Sequence, residues 1–319
     1  MRVLITGGTG FVGGHLIQFL RSRAVEIAVL ASSPPPPSPG GLSYYKVDVR
    51  NADGVRSVVR EVCPTQIYHL AGISVVAESW SNPRLTYDVN VFGAYNLFEA
   101  GMSLPSPPRI LNVSTSQLYA SSPLPLTEDS AIRPQNPYAA SKAMAELIAL
   151  QYCKSSTGGI ITARAFNHTG PGQATSFVLP RIAEQFAQIR LGKRPPVITL
   201  GNINVKRDFT DVRDVVRAYS MLLEKGKVGE VYNVCRGYTI GLEDILEKFQ
   251  SLTDIQIEIE TDPNEVRVGE VTEICGDAAK ICAATGWIPQ IPPEKTISDL
   301  LDYWQSISNH VKPVNSYSA

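Results

Sequence analysis

Short apolar runs alternate with longer stretches of helical period through the first half of the chain. Val3–Thr6, Glu26–Ala31, Tyr44–Val47, Ile67–Leu70, Arg109–Ser114 and Ile160–Ala165 are short, rich in Val, Ile and Leu, and predict strands. Between them, Phe11–Ser22, Asn51–Val62, Arg84–Ala100 and Tyr138–Ser155 predict helices. Ser33–Gly41 holds five prolines and two glycines, so a loop is expected there. Strands alternating with helices imply a parallel sheet covered on both faces, a doubly wound α/β fold.

The second half is less regular. Leu179–Leu191, Val212–Glu224 and Leu242–Ser251 predict helices, and Val231–Val234 and Ile255–Ile259 predict strands. Breaks are expected at Pro195-Pro196 and from Pro289 to Pro293. Two domains follow, residues 1–165 with returning segments near 205–235, and residues 166–319.

Composition excludes more than it selects. A chain of 319 residues with 44% hydrophobic and 18% charged residues is ordinary for a globular protein. A net charge of −1 gives no reason to expect nucleic acid or a membrane surface as partner. No apolar run approaches the length of a membrane span. Cys63, Cys153, Cys235, Cys275 and Cys282 are scattered without a CxxC, which predicts reduced, buried thiols in a cytoplasmic protein. No metal site is expected. Met1-Arg2 runs directly into an apolar strand and glycines, unlike a signal peptide.

Candidate chemistry begins at Thr6-Gly-Gly-Thr-Gly-Phe-Val-Gly13, between the first strand and the first helix. Gly7 would permit a tight turn, Gly10 a close approach to a pyrophosphate, and Gly13 close packing of helix on strand. The helix N-terminus would offer free N–H groups to the phosphates. The place where a carboxylate would bind the adenosine ribose of NAD is Leu30-Ala-Ser-Ser33, with no acid. NADP(H) is therefore favoured, with NAD(H) as the alternative, and Ser32 and Ser33 could hydrogen-bond the extra phosphate. Asp48 is read either as an adenine contact or as a turn cap.

Tyr138 and Lys142 lie one helical turn apart in Pro137-Tyr-Ala-Ala-Ser-Lys142. An ammonium beside a phenol would lower the phenol pKa and fit it for proton transfer near neutral pH. Thr115, just beyond the fifth strand, sits at the edge where open α/β sheets bind ligands. Thr115, Tyr138 and Lys142 could converge on one carbonyl oxygen. The bland reading of Tyr-x-x-x-Lys alone is a surface helix with a snorkelling lysine.

These motifs, with Ser114-Thr-Ser-Gln-Leu-Tyr119, resemble the extended short-chain dehydrogenase/reductase superfamily in its nucleotide-sugar branch, nearly end to end. Ala165-Phe-Asn-His-Thr-Gly-Pro-Gly-Gln173, Lys206-Arg-Asp-Phe-Thr-Asp-Val-Arg-Asp214, Val231-Tyr-Asn-Val-Cys235 and Glu265-Val-Arg267 narrow the resemblance. It is nearest to GDP-6-deoxy-4-keto-mannose reductases, with GDP-mannose 4,6-dehydratases as near relatives. The resemblance implies a Rossmann-type sheet with a smaller α/β substrate domain. It implies cofactor contacts from Gly7, Gly10, Phe11, Val12, Gly13, Ser32, Asp48, Val49, Leu70, Ala71, Gly72, Asn90, Tyr138, Lys142 and Phe166. It implies substrate contacts from Gln117, Asn167, Arg181, Arg207 and Arg267, the last two gripping a diphosphate through bidentate guanidinium bonds. For each arginine taken singly, a surface ion pair is the other outcome. His168 is read as a neighbour of the substrate rather than a catalyst.

In the dehydratases of this family a glutamate two residues after the Thr/Ser performs the elimination; here that position is Gln117, and an amide exchanges no proton near neutral pH. The basic insertion that those enzymes carry after the second strand is replaced here by the proline run, and Ala120 stands for the usual Gly after Tyr119. The implied activity is reduction of the 4-keto group of a GDP-linked 4-keto-6-deoxyhexose. A dehydratase, a 4-epimerase and a non-catalytic nucleotide-sugar sensor remain as alternatives. In the resembling family the helices matching Arg84–Ala100 and Tyr138–Ser155 form a dimer, so a homodimer is expected.

Overall fold

The computed structural model of the chain describes residues 1–34, 41–120, 125–152, 158–262 and 271–310. In chain order the first half runs β1 (Arg2–Thr6), α1 (Phe11–Arg21), β2 (Glu26–Ala31), β3 (Ser43–Lys46), α2 (Ala52–Val62), β4 (Gln66–His69), α3 (Val76–Ser81), α4 (Pro83–Tyr87), a π turn (Asp88–Phe92), α5 (Gly93–Met102), β5 (Arg109–Thr115), α6 (Pro137–Gln151) and β6 (Gly159–Ala165). The second half runs β7 (His168–Thr169), α7 (Val178–Arg190), β8 (Val197–Leu200), β9 (Lys206–Arg207), β10 (Thr210–Asp211), α8 (Val212–Lys225), β11 (Val231–Val234), β12 (Ile240–Gly241), α9 (Leu242–Thr253), β13 (Glu258–Thr261), β14 (Glu273–Ile274), α10 (Ala279–Thr285) and α11 (Pro293–His310).

Seven strands form one parallel sheet in the order β11-β6-β5-β4-β1-β2-β3. Every residue of β6 is buried, as are Val3–Thr6 of β1, which explains why these strands read as unbroken apolar runs. Leu16, Leu20, Val215, Tyr219 and Leu222 of α1 and α8 cover one face. Val55, Val59, Leu97, Phe98 and Ala145 of α2, α5 and α6 cover the other. A separate core joins α7, α9 and α11 through Ile182, Phe186, Phe249 and Leu300. Asn51, Asn136 and Asp211 cap α2, α6 and α8 by accepting from Gly54, Ala139 and Arg213 amides at 3.0, 2.8 and 2.8 Å.

Several elements depart from the sequence expectation. The single helix expected over Arg84–Ala100 is α4, the π turn and α5. In the π turn Asn90 Oδ1 accepts from the Ile73 amide at 2.8 Å, and its Nδ2 donates to the Ile73 carbonyl and Ser141 Oγ. The strand expected at Ile255–Ile259 lies at Glu258–Thr261, because pairing with β8 fixes its register. Ile255 and Ile257 instead pack against the third core. The break expected from Pro289 to Pro293 separates α10 from α11, and Pro293 takes the first position of α11. α6 ends at Gln151, and the rest of its expected span falls partly on residues outside those described. Cys63 and Cys282 are exposed rather than buried, Cys235 is buried, and Cys153 lies outside the described residues.

Trp287 is fully buried, joins the first core, and donates from Nε1 to the Asp214 carbonyl at 3.0 Å. Trp287→Ala is expected to destabilise the fold by about 3–5 kcal/mol through the cavity it leaves. Urea denaturation would show a midpoint shift of that size; a loss below 1 kcal/mol would mean that the site collapses around the gap.

Candidate active site

The glycine loop has the geometry of a phosphate cradle. Gly7 has φ +68°, its N–H donates to the Leu30 carbonyl at 2.9 Å, and a Cβ on it would lie 2.7 Å from the Ala71 nitrogen. A Cβ on Gly13 would meet the Gly7 oxygen at 2.6 Å. α1 therefore begins hard against β1 and β4. Gly10 is its N-cap, no side chain caps it, and no acid stands in its first turn. The positive end of α1, with Phe11 and Val12 in its first turn, is free of negative side chains and fits a dinucleotide diphosphate.

Behind this loop Thr6 Oγ1 takes the Ala71 amide at 3.2 Å and meets His69 Nδ1 at 2.8 Å, fixing the segment Leu70-Ala71-Gly72. Burial drives His69 down to about 3, with the Lys142 charge pushing the same way, so this imidazole is neutral. At the outer end, Ser32 and Ser33 are exposed, and Ser33 Oγ meets Thr9 Oγ1 at 2.9 Å. Asp48 holds Arg50 through both oxygens at 3.0 and 2.7 Å and accepts the Arg50 amide at 2.9 Å. That geometry is the turn-capping alternative for Asp48, and the guanidinium holds its carboxyl below the usual range. Val49 is buried against Gly93, and its carbonyl accepts from Asn96 at 3.0 Å.

Thr115, Tyr138 and Lys142 converge at the end of β5. The Thr115 side chain stands near enough to the Tyr138 hydroxyl to act on its titration, and Thr115 Oγ1 accepts from the Gln117 amide at 3.2 Å. Lys142 is half-buried along its stem while its ammonium is enclosed, donating to the Val113 carbonyl at 2.9 Å. A Cβ on Gly72 would stand 3.4 Å from Lys142 Nζ and 3.0 Å from Asn90 Oδ1, so the ammonium borders the segment after β4. Burial pulls Lys142 down to about 8, opposed by Glu146. The expected lowering of the phenol does not occur. Burial pushes Tyr138 up, with the Thr115 side chain as the opposing influence.

The candidate substrate residues are spread around this centre. Gln117 is half-buried, with Oε1 in a long 3.4 Å contact to Asn136 Nδ2. Phe166 is buried beside Tyr119, and the Asn167 carbonyl accepts from Thr210 at 2.9 Å. Arg181 stands on α7. Arg207 donates from Nη1 to the Lys206 and Thr272 carbonyls at 2.9 and 3.1 Å. Arg267 lies outside the described residues. His168 Nδ1 lies 3.0 Å from the Phe166 carbonyl, and its ring stacks on Phe11 with centroids 6.4 Å apart, joining the glycine loop to the 165–173 segment.

Sequence reasoning missed the buried polar groups under the site: His69, Ser141, Asp208, Glu146 and Arg164. Asp208 is fully buried, accepts the Arg236, Gly237 and Gly276 amides at 2.7, 2.9 and 3.3 Å, and is raised by burial to about 6. Only the capping Asn136-Pro137 pair carried a sequence signal, that of a helix start.

A family model described as GDP-mannose 4,6 dehydratase matches residues 4–300. GDP-6-deoxy-D-mannose reductase of Pseudomonas aeruginosa is 34% identical over 308 residues, 96% of this chain and 97% of that protein. GDP-6-deoxy-D-talose 4-dehydrogenase of Aggregatibacter actinomycetemcomitans is 30% identical over 288 residues, 90% of this chain and 92% of that protein. The solved structure of RMD from Pseudomonas aeruginosa complexed with NADPH is similar with a TM-score of 0.85 at 33% identity, covering 96% of this chain and 99% of that chain. No helix among the described residues is long and apolar enough to cross a membrane.

The enclosed ammonium makes a direct prediction. An NMR titration of the Lys142 ε-methylene in the free protein is expected to show a midpoint near 8. A midpoint at the ordinary lysine value of about 10.4 would show that water reaches the charge.

Proposed function

Because the chain belongs to the GDP-mannose 4,6-dehydratase family, we propose that it is a reductase of the 4-keto group of GDP-4-keto-6-deoxy-D-mannose, giving GDP-D-rhamnose or its 4-epimer. The observation that carries this reading is Gln117 beside an intact Thr115, Tyr138 and Lys142. Elimination of water needs a group that takes and returns a proton, and an amide does neither. Carbonyl reduction needs one proton donor. Tyr138, held protonated by burial, would be that donor, with Thr115 beside it at the end of β5. A dinucleotide bound in the cradle supplies the hydride.

NADPH suits the acid-free Ser32-Ser33 edge, and the similar reductase structure is complexed with NADPH. Residues 1–165, with returning segments near 205–235, would bind the dinucleotide, and residues 166–319 the nucleotide sugar. Arg207 and Arg267 would meet its diphosphate, Asn167 the sugar or its phosphates, and Gln117 and Arg181 would be further substrate contacts. A reducing, cytoplasmic setting agrees with free thiols at all four described cysteines.

Purified protein with NADPH is expected to consume the cofactor on GDP-4-keto-6-deoxy-mannose and to leave GDP-mannose unchanged. Formation of the keto sugar from GDP-mannose would instead establish the dehydratase. Activity with no net cofactor consumption would point to an epimerase. Tyr138→Phe is expected to lower kcat by roughly 10²–10⁴-fold; full activity without this hydroxyl would remove it from the reaction.

The same reading includes a homodimer. Trp80, Phe92, Met144, Leu147 and Leu150 are 61, 56, 48, 64 and 52% exposed on α3, the π turn and α6, elements that pack together. Such a contiguous apolar face marks an interface, and a second copy presents the matching face. Light scattering is expected to give twice the chain mass, falling to the monomer in Leu147→Glu/Leu150→Glu; a monomeric native chain would refute the dimer.

A further inference from the structure

Beneath the site lies an ion pair that the proposed chemistry leaves unused. Arg164, near the end of β6, grips Glu146 of α6 through Nη2–Oε2 at 2.8 Å and Nε–Oε1 at 3.1 Å, with side chains only 5 and 8% exposed. The remaining Arg164 nitrogen donates to the Tyr119 hydroxyl at 2.9 Å and the Glu128 carbonyl at 3.0 Å. The guanidinium also lies over the Tyr119 ring, 4.9 Å from its centroid. Tyr119 in turn donates to Asn233 Oδ1 at 2.6 Å, and the Asn233 amide donates to Glu128 Oε1 at 2.7 Å. One cation thus ties α6 to the turn after β5, to the 126–128 loop and to β11.

Stability alone is a weak reason for such a pair, because desolvating two charges offsets most of their attraction and apolar replacements often serve as well. Its placement is more telling. Glu146 stands four residues after Lys142 and eight after Tyr138, on the same stripe of α6. Around the Lys142 ammonium stand the Val113 carbonyl from β5 and the Asn90 side chain from the π turn, and the ionisable groups that couple to its charge are neutral His69 of β4 and Glu146 of α6. Among these, Glu146 carries the negative charge.

We propose that Glu146, gripped by Arg164, is a positioning residue of the site: it fixes the register of α6 against the end of β5 and supplies the counter-charge to the Lys142 ammonium. The inference rests on the reductase reading for its kinetic consequence, but its electrostatic consequence stands apart from it. Without that carboxylate the buried ammonium loses its proton at lower pH, and an implied cofactor contact loses its charge. Tyr138 stays protonated, so the defect grows on the alkaline side.

The test compares wild type, Glu146→Asp, Glu146→Gln and Glu146→Gln/Arg164→Met. The double variant removes both charges and so avoids leaving a buried unpaired guanidinium. In wild type, kcat for the keto sugar with NADPH is expected to fall on the alkaline side with a midpoint near 8. In Glu146→Gln that midpoint moves down by roughly one pH unit, and by less in the double variant, which also loses the Arg164 charge, with KM for the sugar nucleotide changed less than kcat. Glu146→Asp restores the position in part. A role in folding alone would lower the amount of active protein and leave the profile where it was.

The Lys142 NMR titration is repeated on the double variant, which needs no substrate. If wild type fails to reduce the keto sugar while the Lys142 midpoint still moves, the reductase reading fails and the positioning role stands. A folded double variant with an unmoved Lys142 midpoint overturns the proposal whatever the activity.

Discussion

The site depends on the parallel register of β1, β4, β5 and β6. Thr6 pairs with His69, His69 with Asn112, Ser114 with Arg164, and Thr115 with Ala165. All four strands therefore end along one edge, and the segments that follow them turn out together. The glycine loop, Leu70-Ala71-Gly72, Thr115-Ser116-Gln117 and Phe166-Asn167 become neighbours because of that alignment, although they span most of the first half of the chain. Slip of any one strand would carry its functional turn off the edge and invert which face its side chains meet.

Burial then decides the charge states in this edge. It keeps His69 neutral, holds Tyr138 as a phenol and weakens the hold of Lys142 on its proton. The three shifts share one direction, toward the uncharged form, as a poorly hydrated pocket requires. Charge survives where it is matched in kind: Arg164 against Glu146 below α6, and Asp208 inside a ring of three backbone amides. The protein thus separates a dry chemical centre from charged struts that brace the surrounding segments.

Most of the central sheet was legible because buried parallel strands are short apolar runs and the helices between them keep their period. The glycine loop and the Tyr138–Lys142 spacing were legible because both are local. What escaped was non-local. Nothing local marks Glu146 or Arg164, and only the fold makes them a buried pair. The register of β13 is set by β8, some sixty residues away in sequence. Trp304 and Leu300 of α11 join a core whose other members come from α7 and α9, so no local window announced their role. The behaviour of Tyr138 was misread for the same reason: spacing placed an ammonium one turn away, but the fold buried the phenol, and desolvation pushes it up.

The π turn at Asp88–Phe92 adds one residue to what would otherwise be a continuous helix. Upstream of it Arg84 pairs with Asp88, inside it Asn90 braces Ile73 and Ser141, and downstream Ala94, Leu97, Phe98 and Gly101 face the sheet. An α-helix turns about 100° per residue, so removing one residue here would rotate everything after it by that angle. The core face of α5 and the bracing face of Asn90 could then no longer be satisfied together. The extra residue acts as a phase shifter between the chemical edge and the hydrophobic interior, and it makes the length of this segment intolerant of single insertions and deletions even where individual side chains are free to vary.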